Sequence, residues 1–160
     1  MERKAELKAM LADTRAFLFG VLEALNDEQF SLATVNDGWT VRDLAAHIAG
    51  AEGSMKVIAE RILANEPTIV AGFDLARFNA GNIRRRADKS IPDLMEELLQ
   101  SRATMLAILE NCTDEQLDLP GEHPAYGSTT LYGLFKIIAN HEKEHGEEIL
   151  IEVEKMRNQE

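Results

Sequence analysis

The sequence predicts an all-α protein built as a four-helix bundle, and three observations carry that prediction. Apolar residues recur at helical spacing in four long segments. Helix-start signals stand in front of three of those segments. Sustained strand-like alternation is found nowhere along the chain.

The first segment carries Leu7, Met10, Leu11, Phe17, Leu18, Val21, Leu22 and Leu25. The second carries Val41, Leu44, Ile48, Ala51, Met55, Ile58 and Ile62. Thr40-Val41-Arg42-Asp43 precedes it as a capping box, with Asp43 standing in for the usual Glu. The third carries Leu94, Leu98, Met105, Leu106 and Leu109 behind a second such box, Ser90-Ile91-Pro92-Asp93. Its proline falls in the first turn, where a missing N–H costs nothing. The fourth carries Leu131, Leu134, Phe135, Ile138, Ile149 and Val153, with Ser128, Thr129 or Thr130 as its cap. A short extra helix, Phe73 to Arg86, is expected between the second and third segments. Four amphipathic helices bury their stripes against one another, which is the bundle.

Two stretches echo each other. Leu22 to Leu32 reads LEALNDEQFSL, and Leu109 to Leu119 reads LENCTDEQLDL. Each is followed by a glycine and a hydroxyl residue, in Gly38-Trp39-Thr40 and in Gly127-Ser128-Thr129. The echo suggests two related helical hairpins packed face to face. Chance recurrence of Asp-Glu-Gln after a helix is the competing account.

A length of 160 residues fits one domain, 1–160. With 45% hydrophobic and 28% charged residues the chain has the balance of a soluble globule. The formal charge of −11 repels nucleic acid and anionic lipid, so neither is an expected partner. Arg84-Arg85-Arg86 is a local exception; it reads as a solvated turn of helix, with anion steering as the alternative. Met1 to Glu6 lacks the apolar core of a signal peptide, and no stretch is apolar enough to span a bilayer. A single cysteine, Cys112, makes no internal disulfide, and its place at the end of an apolar run predicts burial. A reducing cytoplasm is the expected location.

The chemistry lies in the histidines. His141 and His145 are spaced i, i+4 on the inward stripe of the fourth segment, in line with Leu134, Ile138 and Ile149. His47 lies on the inward stripe of the second, with Leu44, Ala51 and Met55. Three buried imidazoles need partners. A divalent metal supplies one for each ring and keeps an open position, as catalytic sites do. Hydrogen-bonded core histidines are the alternative. His123, in the turn-rich Gly121 to Gly127, is expected at the surface. Glu142, Glu144 and Glu148 flank the pair and turn mostly outward. Glu144 and Glu52 are the carboxylates best placed to approach, although a solvated face is the plainer reading for each. Trp39 is expected to plug the bundle end, with substrate stacking as the other option.

Gly38-Trp39-Thr40-Val41-Arg42-Asp43-Leu44-Ala45-Ala46-His47-Ile48, with Gly127-Ser128-Thr129-Thr130-Leu131 and His141-Glu142-Lys143-Glu144-His145, resembles the DinB/YfiT-like metalloprotein superfamily. It is similar in particular to the N-terminal domain of mycothiol-dependent maleylpyruvate isomerases. The resemblance covers nearly the whole chain. It implies an up-down-down-up bundle with zinc, nickel or iron on His47, His141 and His145. It also implies a low-molecular-weight thiol as a second cofactor, homodimers, and transferase, isomerase or hydrolase chemistry on small electrophiles. Those isomerases often carry a further C-terminal domain, whereas this chain ends soon after its fourth segment. The residues themselves leave enzymatic turnover open. A non-catalytic metal- or ligand-binding stress protein and a structural dimerising bundle are the alternatives.

Overall fold

The computed structural model describes residues 2–34 and 38–159. Four long helices, α1 (Glu2–Glu23), α3 (Val41–Leu63), α5 (Ile91–Asn111) and α6 (Leu131–Arg157), make the bundle. Two shorter helices, α2 (Asp27–Phe30) and α4 (Leu75–Arg85), lie in the connections. A two-stranded antiparallel hairpin, β1 (Pro120–His123) with β2 (Gly127–Thr130), precedes α6. Among the described residues no helix is long and apolar enough to cross a membrane.

The helix starts are held as the sequence indicates. Thr40 Oγ1 accepts from Asp43 N at 3.2 Å, while the Asp43 carboxylate accepts from Thr40 N at 2.9 Å. Ser90 and Asp93 repeat the exchange at α5. Of the three candidates in front of α6, Thr130 is the cap; its hydroxyl accepts from Gly133 N at 3.1 Å. Asp74 caps α4, so that helix is slightly shorter than the predicted Phe73 to Arg86.

Two apolar clusters form the core. Leu7, Leu11, Ile58, Ile62, Met105, Leu109, Leu131 and Leu134 belong to one. Leu18, Leu22, Val41, Leu44, Leu94, Leu98, Ile149 and Val153 belong to the other. Along the chain, α1 and α6 run from the first cluster to the second, and α3 and α5 run back. That order is up-down-down-up, with α1 packed beside α6 and α3 beside α5.

Between the clusters the same stripes carry four buried charges. Arg15 binds Glu142 and Glu52, and Arg102 binds Glu52 at 2.7 Å and Glu142 at 2.8 Å. Arg15 Nη1 also donates to Leu98 O at 2.7 Å, and Arg102 Nη1 donates to Leu11 O. Burial works against the Arg102 charge, but Glu52 and Glu142 outweigh it and hold its pKa above the ordinary value. Two cations and two anions neutralise each other, which makes burial of the group tolerable.

The echo in the sequence is an internal pseudo-symmetry. Arg15 and Arg102 are partners at the same offset that relates Leu11 to Leu98, Leu22 to Leu109 and Phe30 to Leu117. Glu52 and Glu142 share a second offset with Val41 and Leu131, Leu44 and Leu134, and Ile48 and Ile138. Asn26 and Gln29 form a capping box, and Thr113 and Gln116 exchange the same pair of bonds. Val41 N donates to Leu32 O at 2.8 Å, and Leu131 N donates to Leu119 O at 3.0 Å. The two related helix pairs, α1 with α3 and α5 with α6, are not hairpins packed face to face as expected: they interlock around the ion group, each helix packing on those of the other pair.

The hairpin corrects the expectation of a strand-free chain. Its strands, PGEH and GSTT, are too short and too polar to show alternation. Gly127, at φ 74°, supplies the left-handed turn residue. Gly121 has a second role. A Cβ there would fall 2.6 Å from Ile62 Cγ1, so its absence lets β1 lie directly on α3.

Candidate metal centre

The Thr40 cap and Trp39 fix the start of α3, and His47 follows two turns later on its buried face. The buried Glu142 carboxylate, held by Thr14, Arg15 and Arg102, fixes the rotation of α6. His141 and His145 then project toward His47. His141 Nε2 lies 2.9 Å from His47 Nε2 and 3.1 Å from His145 Nε2. The three ring centroids are 4.4 to 5.0 Å apart. Among the described residues this is the one His, Cys, Asp or Glu group whose ligand atoms all fall within 4.8 Å of one another.

The donor set fits a divalent ion. Two imidazole nitrogens on a tetrahedral metal with bonds of about 2.0–2.1 Å stand about 3.3 Å apart. The observed spacings need only slight spreading to reach that. Burial and the neighbouring His145 lower the His47 pKa to about 4, and burial with His145, His47 and His123 lowers His141 further. Both rings are therefore neutral at pH 7, the form that offers lone pairs. His145 Nδ1 lies 3.2 Å from Glu148 Oε2. His47 Nδ1 has no partner among the described residues; the ring lies against Trp39, at a centroid separation of 4.9 Å.

The three rings line a cavity of about 430 Å³. Its walls are mostly apolar, with Met55, Ile58, Ile69, Val70, Phe73 and Phe78 among them. The segment between α3 and α4 is tied to the hairpin by Thr68. Its hydroxyl donates to Glu122 O at 2.8 Å and accepts from Glu122 N at 2.9 Å. Trp39 packs on the second core cluster and also borders the cavity.

Several sequence expectations are corrected here. His123 is not on the surface; it is 8% exposed and lines the cavity, because the hairpin folds back onto α3. Glu52 does not approach the histidines, since Arg15 and Arg102 hold its carboxylate. Glu144 is exposed, and Glu148 is the carboxylate that reaches an imidazole. Glu142 turns inward and is 1% exposed. None of Arg84, Arg85 and Arg86 borders the cavity: Arg86 is bound to Glu97, Arg85 to Asn82, and Arg84 is exposed. The cation in the cavity wall is Arg61, which the sequence reading missed. Cys112 is buried as expected, and burial pushes its thiol pKa up.

No curated protein sequence matches the chain. Solved structures do. YfiT from Bacillus subtilis, described as a probable metal-dependent hydrolase with an unusual four-helix bundle topology, superposes with a TM-score of 0.82 at 21% identity. That match covers 98% of this chain and 89% of YfiT. A mycothiol-dependent maleylpyruvate isomerase matches at TM-score 0.76 and 11% identity, over 91% of this chain but only 60% of the isomerase. The colibactin self-resistance protein ClbS, solved with a double-stranded DNA, matches at TM-score 0.71 and 18% identity, over 91% and 92% of the two chains. At these identities the likeness speaks for the fold. The model of the DinB superfamily matches residues 10–149, nearly the whole of the bundle, and the chain belongs to that superfamily.

Proposed function

We propose that this chain is a metal-dependent enzyme acting on small electrophiles, with His47, His141 and His145 as the ligands of one zinc, nickel or iron ion. The observation that carries the reading is the convergence of three imidazoles in the wall of a mostly apolar cavity. His47, His141 and His145 would hold the ion as a three-ligand set beside the cavity, a ligand number that suits catalytic rather than structural sites. A bound divalent metal supplies Lewis acidity, polarising an acceptor oxygen and lowering the pKa of a coordinating water or thiol.

The chain's own residues do the rest. The apolar wall binds the body of the substrate and excludes bulk water. Arg61 offers a positive charge to an anionic group. Glu148 orients His145 through Nδ1. A low-molecular-weight thiol or water as nucleophile fits what is described for YfiT and the isomerase, giving S-transfer, isomerisation or hydrolysis. The reading takes the whole chain as one cytoplasmic domain that self-associates as a homodimer. The charge of −11 favours a small-molecule substrate over nucleic acid.

The test is elemental analysis of protein purified without chelator, joined to a screen for thiol transfer and hydrolysis on the wild type and His145→Ala. The expected result is about one metal per chain and a turnover that His145→Ala abolishes. A metal-free wild type, or an activity indifferent to the substitution, refutes the reading.

A further inference from the structure

His123 stands apart from the three clustered histidines. It lies outside the group whose nitrogens come within 4.8 Å of one another, yet it borders the same cavity. Its position is over-determined. The β1–β2 register pairs it with Gly127, and its ring packs on Tyr126 at a centroid separation of 5.0 Å. Ala125 N donates to His123 Nδ1 at 3.1 Å, so that nitrogen is bare. Burial lowers the His123 pKa, which keeps the ring neutral. A neutral imidazole has one proton, and with Nδ1 accepting, that proton is on Nε2.

The Nε2–H has no partner among the described residues. It is also not among the buried atoms sealed from solvent, which are His47 Nδ1 and Asn82 Nδ2. A side chain 92% removed from solvent therefore keeps one donor open within a mostly apolar enclosure. Such a donor gains most from an acceptor that arrives with apolar bulk around it.

We propose that His123 is a substrate-binding residue, its Nε2–H a fixed donor to the carbonyl-type oxygen of a small apolar substrate. The polar atom of such a molecule is then held between His123 and the three imidazoles, while its carbon skeleton lies on Ile69, Val70, Phe73 and Phe78. The proposal rests on the functional reading above for the role of the three imidazoles, not for the donor itself.

The probe is 4-fluoroacetophenone, an aromatic ring with one carbonyl acceptor, titrated by fluorine NMR. Wild type and His123→Phe are each measured zinc-loaded and chelator-stripped. The expected result is saturable binding to the wild type and a Kd about threefold to tenfold weaker in His123→Phe, in both metal states. A Kd unchanged within twofold, or no saturable binding to the wild type, overturns the proposal. Long-range proton–nitrogen NMR on the wild type gives a second readout that needs no variant. A bare Nδ1 and protonated Nε2 at pH 7 support the proposal, and the opposite tautomer overturns it. A wild type that takes up no zinc refutes the metal reading alone, because binding and tautomer are still read in the stripped protein.

Discussion

His141 and Glu142 are chain neighbours on α6 with different partners: the imidazole meets His47 at 2.9 Å, and the carboxylate meets Arg15, Arg102 and Thr14. The buried ion group and the histidine cluster are thereby coupled through the rotation of one helix.

Glu142→Gln tests that coupling. The variant keeps the shape and leaves an excess buried positive charge between Arg15 and Arg102. Breaking one partner of a buried group costs about 3–5 kcal/mol. We expect a denaturation midpoint lowered accordingly and a weaker metal affinity, read by competition with a chromophoric chelator. Unchanged metal affinity in the folded variant would show that α6 is aimed by packing alone.

His141→Ala separates the site from the scaffold. The ring is half-buried at the cavity edge rather than in either apolar cluster. Metal content is expected to fall to near zero, while helical circular dichroism and cooperative unfolding persist. A variant that still retains stoichiometric metal would remove His141 from the ligand set.

The pH dependence of the metal-free protein has a defined sign. Burial holds the folded-state pKa of His47 near 4, below its unfolded value of 6.5, and lowers His141 and His123 as well. The unfolded chain therefore binds more protons in this interval, and stability rises with pH there. The stabilisation is fully present above pH 6.5 and is lost as pH falls toward 4. His47 alone contributes on the order of 2–3 kcal/mol. Urea unfolding of chelator-stripped protein at pH 7.5, 6, 5 and 4.5 measures it, and His47→Gln should flatten the profile. A slope of opposite sign would contradict the buried, neutral rings.

Gly121→Val probes the seat of the hairpin. Its Cβ would meet Ile62 Cγ1 at 2.6 Å and Thr68 Cγ2 at 3.2 Å, and Ile62 is itself buried. Overpacking of this kind costs about 1–3 kcal/mol. Because β1 ends at His123, the same substitution should shift the His123 ring resonances. Wild-type-like shifts and stability would mean the contact relaxes without moving the strand.

What was legible in the sequence follows from helical periodicity. The stripes of α3 and α6 put His47, His141 and His145 on inward faces, and Thr40, Ser90 and Thr130 marked where helices begin. The family resemblance added the superfamily and the chain direction of the helices. The positions of the ion group are legible in the sequence too. Arg15 continues the stripe of Leu7, Leu11, Leu18 and Leu22, and Arg102 continues that of Leu94, Leu98, Met105 and Leu109. A charged residue in such a stripe is buried when its counter-charge comes from another helix, here Glu52 and Glu142.

The sequence by itself determined the helices, their apolar faces and the three imidazoles aimed at one interior, because each depends on residues a few positions apart. Only the tertiary structure decided which carboxylate met which cation, that β1 folds onto α3, and that His123 and Arg61 border the same cavity. Those relations join residues far apart in the chain, and no local spacing encodes a distance between segments that meet only once the core has formed.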